Sequence, residues 1–499
     1  MRALFALASV EWIGVQILIS ILKRAGHAVA LLPVGGFWTS GYFPPPKHPR
    51  FRRELRRIAS FRPDVILCST TTYSWGQLAP LLKRAKEAFP HIPVVVGGIH
   101  PTVLPEQVLS EPYVDMICVG EGEGAILDLM DALRPGESPP LARSDIPNIW
   151  SKDADGAIVR NPLRPLVRDL DALPFPDKAL FQAHGLSGDR AYVMTTRGCP
   201  FNCAYCFNHA YRALYGVSGR HYVRHRSPDD VVAELVSLRR RQRIRSVYFI
   251  DDTFVADKPR TLALLEAYRR EVRLPFYCLV RADLVDNEIA AALKRAGCAY
   301  VAMGVESGSP RLRREVLNRH VTNERLLEAA RIIKRRRLKL ITINMFCFPT
   351  ETLDEMLETV SLNLRMSPHY VFTHIFYPYP GTRLCTMSSE MGLLSDERYE
   401  QVTRGVSGYN SPTVLDHPLA QEAYNLKVAL PILNAFRGLR RYALTRWARR
   451  KHSPLLLEML SIASIPLFSG WDRFYRLKER LIFLARNWLY AGGNRTRPR

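Results

Sequence analysis

The 499-residue chain is short of acid: 47 Asp and Glu stand against 70 Lys and Arg, a formal charge of +23. That balance excludes an acidic solvating protein and favours contact with something anionic, whether a phosphate, a membrane surface or an acidic carrier. Cysteine is scarce and odd in number. The nine are spread along the chain with three in one short cluster, which argues against a secreted disulfide framework and for a reducing cytosol, so a cytoplasmic location is expected. Long apolar runs are missing too. Residues 1–10 are too short for the apolar part of a secretion signal, and Glu11 ends them; residues 454–471, with Glu458 as the single charge, fall just short of a convincing membrane span. A peripheral contact with the inner face of a membrane stays open. At roughly 150 residues per domain the length suits about three domains.

Short apolar runs at residues 3–8, 28–32, 65–68, 93–96 and 116–119 alternate with amphipathic segments, the pattern of a parallel sheet covered by helices. Residues 1–135 are therefore expected to form a doubly wound, Rossmann-like α/β domain. Residues 33–49, with Pro44, Pro45 and Pro46 together, can continue neither a helix nor a central strand and read as an extended loop. Ligands of such a sheet sit beyond the carboxyl ends of its strands. There the chain carries Ser69-Thr70-Thr71-Thr72, Gly97-Gly98-Ile99-His100 and Gly120-Glu121-Gly122-Glu123. Paired glycines let a flat or phosphorylated ligand approach the backbone, and hydroxyls can bond a buried heterocycle, although Gly-Gly also serves as a plain turn.

Residues 136–188 lose the helical period and gain Pro, Gly and Asp, as in Pro139-Pro140 and Leu173-Pro174-Phe175-Pro176-Asp177, and read as a linker. A strand at 192–195 then leads into Arg197-Gly198-Cys199-Pro200-Phe201-Asn202-Cys203-Ala204-Tyr205-Cys206. Three cysteines at this spacing can fold round one metal cluster and leave a fourth position open. Structural zinc wants four protein ligands, usually from paired CxxC knuckles; His209 is the candidate that would complete such a site, while a redox disulfide would leave one cysteine unexplained.

Further apolar runs at 246–250, 276–280, 300–303, 340–346 and 370–376 are separated by helical stretches at 228–241, 287–296, 323–336 and 353–366. Residues 189–395 are thus expected to form a partial (β/α)6 barrel with function at its carboxyl strand ends. Those ends carry Asp251-Asp252, Arg281, Glu306-Ser307, Pro349-Thr350-Glu351-Thr352 and Tyr379-Pro380-Gly381-Thr382. Arg281 suits a carboxylate, while Glu306 and Ser307 suit hydroxyls or an amino group.

Residues 396–499 turn helical and basic, with Arg437, Arg440, Arg441, Arg446, Arg449, Arg450 and Lys451 in one stretch and Arg473, Arg476, Lys478, Arg480 and Arg486 in another. Trp447, Trp471, Phe474, Tyr475, Trp488 and Tyr490 are interleaved. This reads as a basic helical cap on the barrel, with a membrane surface or a lipid substrate as the alternative.

The cysteine run, Tyr205 included, resembles the signature of the radical S-adenosylmethionine superfamily, and residues 1–135 resemble the cobalamin-binding domain that precedes many of its members. The resemblance implies a 4Fe-4S cluster on Cys199, Cys203 and Cys206, whose open iron chelates S-adenosylmethionine and reduces it to a 5'-deoxyadenosyl radical. Tyr205, Asp251, Arg281, Glu306 and Ser307 are then expected around that nucleoside, and Trp12, Ser69, Thr70, Gly97, Gly98, His100, Gly120 and Glu121 around cobalamin. The implied activity is C-methylation of an unactivated carbon, a second S-adenosylmethionine supplying the methyl group through cobalamin. A non-methylating cyclisation, ring contraction or oxidation is the alternative, and a non-catalytic cobalamin or iron-sulfur sensor a further one. A small-molecule or lipid substrate and an electron donor such as flavodoxin or ferredoxin are the expected partners. Nucleic acid is not expected, because Cys68 and Cys118 alone cannot make the extra cluster of the RNA methylthiotransferases.

Two departures matter. Relatives that ligate cobalt show Asp-x-His-x-x-Gly where this chain has Ser9-Val10-Glu11-Trp12-Ile13-Gly14, so the imidazole is missing and Trp12 is expected either to cover the lower face of the corrinoid or to serve only as a packing residue. Where relatives show Gly-x-Pro-Gly-Glu-Thr, the chain reads Cys347-Phe348-Pro349-Thr350-Glu351-Thr352, which places a thiol with either a buried packing role or a catalytic one as hydrogen-atom donor.

Overall fold

Apolar runs with no polar face can only be buried on both sides, and the first strands lie accordingly. The computed structural model describes residues 1–8, 12–34, 51–134, 145–217, 219–406, 412–435, 447–450 and 452. Strands β1 (Arg2–Ala8), β2 (Ala28–Val34), β3 (Val65–Ser69), β4 (Val94–Gly97) and β5 (Met116–Cys118) form a parallel sheet in the order β2-β1-β3-β4-β5. Leu4, Ala6 and Ala8 of β1 pack in one core with Ile66, Leu78 and Val94, while Ala3, Phe5 and Leu7 pack in the opposite one with Val15, Ile19 and Leu129. The chain leaves β1 for β2 on one side and returns as β3 on the other. This reversal opens a crevice at the carboxyl ends of β1 and β3.

The stretch read as linker contributes to the same sheet. Strands β6 (Ile149–Lys152) and β7 (Ile158–Val159) fold back antiparallel beside β5. Burial alternates along Ile149–Lys152, as in a one-sided strand, but four residues are too few to announce a period. Buried Asn148 fixes the approach: its Nδ2 donates to Val119 O at 2.7 Å and its Oδ1 accepts from Arg164 N at 3.0 Å.

The second sheet is parallel throughout and sequential: β8 (Arg190–Val193), β11 (Ser246–Phe249), β12 (Phe276–Val280), β13 (Cys298–Glu306), β14 (Lys339–Phe346) and β15 (Tyr370–Ile375). Among the described residues β15 and β8 do not pair, so the barrel is partial. A small ribbon of β9 (Thr196–Arg197) and β10 (Arg224–His225) stands beside it. The helices between strands begin at side-chain caps: Ser227, Asp257, Asp286, Thr322 and Thr352 each accept from the backbone N–H three residues on. Each cap contributes about 1 kcal/mol and ends the loop that leaves the carboxyl end of a strand, so the loops bearing the candidate site have fixed lengths.

Helix Ala420–Ala435 lays Ala423, Leu426, Leu430 and Leu433 against Phe346, Met356, Val371 and Ile375, covering the sheet at its β15 side. Trp447 stacks on His452 with 4.4 Å between ring centroids. Arg437, Arg440, Arg441, Arg446, Lys451 and everything from residue 453 onward, including the second basic stretch and Trp471, Phe474, Tyr475, Trp488 and Tyr490, lie outside the described residues. Among the described residues, no helix is long and apolar enough to cross a membrane.

Candidate active site

The cysteine loop begins where β8 ends, and Asp251 anchors it. One oxygen of this buried carboxylate accepts from Thr195 N (2.8 Å), Thr195 Oγ1 (3.0 Å), Thr196 N (2.5 Å) and Thr196 Oγ1 (2.7 Å). Burial raises the Asp251 pKa, and the donated hydrogen bonds oppose the rise. Asp251 was expected at the nucleoside; in the structure it holds the two residues that precede Arg197-Gly198-Cys199.

Cys203 is buried, Cys199 and Cys206 are half-buried, and none is in a disulfide. The Cys199 sulfur lies 3.4 Å from Thr253 Oγ1, and the Cys206 sulfur 3.5 Å from Asn208 Nδ2. Two guanidinium groups address Cys203: Arg281 Nη1 at 3.6 Å and Arg319 Nη1 at 4.0 Å. Burial pushes the Cys199 thiol up and the Cys206 thiol up to about 11. Burial by itself thus favours the neutral thiol at both positions. An iron-sulfur cluster deprotonates its ligands, and fixed cations beside Cys203 offset the negative charge it brings, so the donor set fits such a cluster. Among the described residues no three His, Cys, Asp or Glu converge to hold a single ion. A cubane spreads its thiolates over separate irons and does not need that convergence. His209, weighed as a zinc ligand, accepts from Arg383 N at 3.2 Å.

Around Cys203 the remaining groups are linked. Tyr205 hydrogen-bonds to the Glu306 carboxylate, and Arg319 Nη1 lies 4.0 Å from Glu306 Oε1. Glu306 ends β13 at φ 66°, where the register with β14 shifts, and burial raises its pKa. Arg319 was not expected from the sequence. It follows the helical turn Leu312–Val316, away from any strand end, and donates from Nη2 to Gly304 O at 2.6 Å. Arg281 stacks 3.5 Å above the Phe201 ring and pairs with Asp283 at 3.1 Å. Ser307 is fully buried; its hydroxyl accepts from Ser309 N at 3.1 Å and lies 3.4 Å from Thr359 Oγ1, holding its own turn.

Cys347 belongs to a different apolar core from the cysteine loop. It packs with Met356, Ala423 and Leu426, whereas its neighbour Phe348 packs with Ala204 and Tyr205. Burial pushes the Cys347 thiol up to about 12. Its backbone takes φ 71°, the left-handed conformation a glycine adopts freely and another residue only at a cost of about 1 kcal/mol. Glu351 holds that turn, accepting from Cys347 N (2.6 Å) and Phe348 N (3.2 Å).

In the first domain the loops after β3 and β4 are zipped together by Thr70 N to Gly97 O (2.8 Å) and His100 N to Thr70 O (3.0 Å). Gly98 has φ 95°, and a Cβ there would stand 2.6 Å from Thr70 O and 2.9 Å from Ser69 Oγ. That glycine lets the two loops close on each other at the carboxyl ends of β3 and β4, beside the Ser69 and Thr70 hydroxyls, which is where ligands of such a sheet sit. His100 is fully buried against Trp75, 5.4 Å between centroids, and burial pushes its pKa down to about 3. Trp12 precedes helix Ile13–Arg24 just beyond β1, and its Nε1 has no partner among the described residues; Ser9–Glu11 lie outside them. Gly120 is covered by Tyr215, whose hydroxyl accepts from Glu121 N at 2.9 Å. The Glu121 carboxylate is engaged by Arg224, Arg197 and Val167 N.

Comparison with known proteins agrees with this geometry. Residues 193–362 match the model of the radical SAM superfamily, and residues 6–130 that of the B12 binding domain. An uncharacterized methyltransferase from Pyrococcus horikoshii is 30% identical over 351 residues, 69% of this chain and 74% of the relative. The anaerobic magnesium-protoporphyrin IX monomethyl ester cyclase of Rubrivivax gelatinosus is 25% identical over 70% of this chain and 62% of its own length. In fold, the cobalamin-dependent S-adenosylmethionine radical enzyme OxsB with aqua-cobalamin bound superposes with a TM-score of 0.66 over 93% of this chain and 72% of that one, at 17% identity. The chain belongs to the radical SAM superfamily, in the branch whose members carry a B12-binding domain, and is an enzyme.

Proposed function

We propose that this enzyme methylates an unactivated carbon of a small molecule, using a 4Fe-4S cluster, S-adenosylmethionine and cobalamin. The observation that carries this reading is the meeting of two loop sets: the cysteine loop of the barrel and the Gly120–Glu123 loop of the first domain touch through Tyr215 and Glu121. When bound, the cluster supplies the electron that cleaves S-adenosylmethionine, and cobalamin supplies the methyl carrier. Cys199, Cys203 and Cys206 would hold the cluster. Arg281 and Arg319, two permanent cations, suit the carboxylate of the methionine moiety, and Glu306 with Tyr205 suits its amino or hydroxyl groups. Ser69, Thr70, Gly97 and Gly98 would line the cobalamin site, and Trp12 offers cobalt no ligand. Phe348 and Phe376 pack against Ala204 and Tyr205 of the cysteine loop and would keep water from it. The electron would come from a flavodoxin or ferredoxin in a reducing cytosol.

The second reading, radical chemistry without methyl transfer, is favoured by the cyclase relative. Anaerobic turnover separates them. A methyltransferase forms S-adenosylhomocysteine and 5'-deoxyadenosine in step with product; 5'-deoxyadenosine without S-adenosylhomocysteine would support the second reading.

A further inference from the structure

The ribbon of β9 and β10 places Arg197 directly opposite Arg224. Like charges facing each other across a strand pair repel, and these side chains are only 12% and 5% exposed. The compensating charge comes from the other domain. Glu121 accepts from Arg224 Nη1 at 2.8 and 3.0 Å and from Arg197 Nη1 at 3.1 Å, while Glu123 accepts from Arg197 Nη2 at 2.6 Å. Val167 closes the cluster, its N–H donating to Glu121 Oε2 and its carbonyl accepting from Arg224, both at 2.9 Å. Two cations and two carboxylates balance.

The position of these charges gives them a consequence. Arg197 lies two residues before Cys199. Cys206 is the N-cap of helix Phe207–Leu214, and Tyr215, just past the other end of that helix, accepts from Glu121 N at 2.9 Å. The cysteine loop therefore grips one loop of the first domain from both of its flanks.

We propose that this four-charge clasp couples the two cofactor sites, with Arg197, Arg224 and Tyr215 as positioning residues. The inference rests on the cobalamin reading above. Filling the cluster site orders the cysteine loop, which fixes Arg197 and Tyr215; these fix Gly120–Glu123, and a fixed loop binds cobalamin more tightly. By linkage, cobalamin must stabilise the cluster by the same factor.

The test is an absorbance titration of aquacobalamin into the full-length protein before and after anaerobic cluster reconstitution, paired with the rate at which a chelator removes iron with and without cobalamin. Wild type should bind cobalamin at least about 5-fold more tightly once the cluster is present, and lose iron more slowly with cobalamin bound. Arg224→Gln should bind equally in both forms, and Arg224→Lys should recover part of the ratio. Tyr215→Phe, which removes only the acceptor for Glu121 N, should lower the ratio and replaces Arg224→Gln if that variant does not fold. Equal wild-type affinities, or a ratio unchanged in the folded variant, overturn the coupling alone. A wild-type protein that binds no cobalamin in either form overturns the cobalamin reading as well.

Discussion

Arg319 Nη1 stands 4.0 Å from the Cys203 sulfur and 4.0 Å from Glu306 Oε1. One buried cation thus serves a sulfur and a carboxylate that arrive from different strands. Arg319→Ala leaves Glu306 buried with the Tyr205 hydrogen bond but without its ion-pair partner, and the expected loss is about 3 kcal/mol in denaturant unfolding of the metal-free protein at neutral pH. The loss should shrink in acid, where a protonated Glu306 needs no cation. A variant as stable as wild type at pH 7 would show that Arg319 does not hold Glu306.

Glu351 gives the pH dependence a definite sign. Burial pushes its pKa up from about 4.5 to about 8, so the folded state holds a proton that the unfolded state releases. The stability this proton contributes is fully present below pH 4.5 and is lost progressively up to about pH 8. Glu351→Gln, which is neutral throughout, should show a flatter profile than wild type between pH 5 and 8 in urea unfolding. Parallel profiles would place the titration elsewhere.

Cys347 points into apolar packing, so Cys347→Ala should form the same products at a rate within about twofold of wild type, with a stability loss of about 1 kcal/mol from the smaller side chain. Loss of product with S-adenosylmethionine cleavage intact would restore a catalytic thiol.

Glu11 stands where relatives that ligate cobalt have histidine, and Trp12 follows it. Electron paramagnetic resonance of the protein loaded with cob(II)alamin should lack nitrogen hyperfine from a protein imidazole, and Glu11→His should introduce it. Imidazole hyperfine in the wild type would contradict the reading of Trp12.

β1, β3 and β4 were legible because each is a run buried on both faces, and such runs need no partner to be recognised. The cysteine triad was legible because its spacing is local. Asp251 has a second task that the sequence does not announce: an acid at a strand end can turn outward to a cofactor or inward to backbone donors, and the tertiary position of Thr195 and Thr196 fixes its Oδ1, while Oδ2 has no partner among the described residues. Arg319 and the pairing of Glu121 with Arg197 join groups far apart in the chain, and no periodicity or spacing encodes them. The strand Ile149–Lys152 escaped because its short alternating pattern was embedded in a stretch rich in Pro and Gly.

Three sulfur donors, Cys199, Cys203 and Cys206, would leave one iron of a 4Fe-4S cluster free for S-adenosylmethionine. Anaerobically reconstituted protein, reduced in the presence of S-adenosylmethionine, should release 5'-deoxyadenosine and methionine, and Cys203→Ala should release neither. A reconstituted wild-type centre ligated entirely by protein side chains, with S-adenosylmethionine recovered intact, would contradict it.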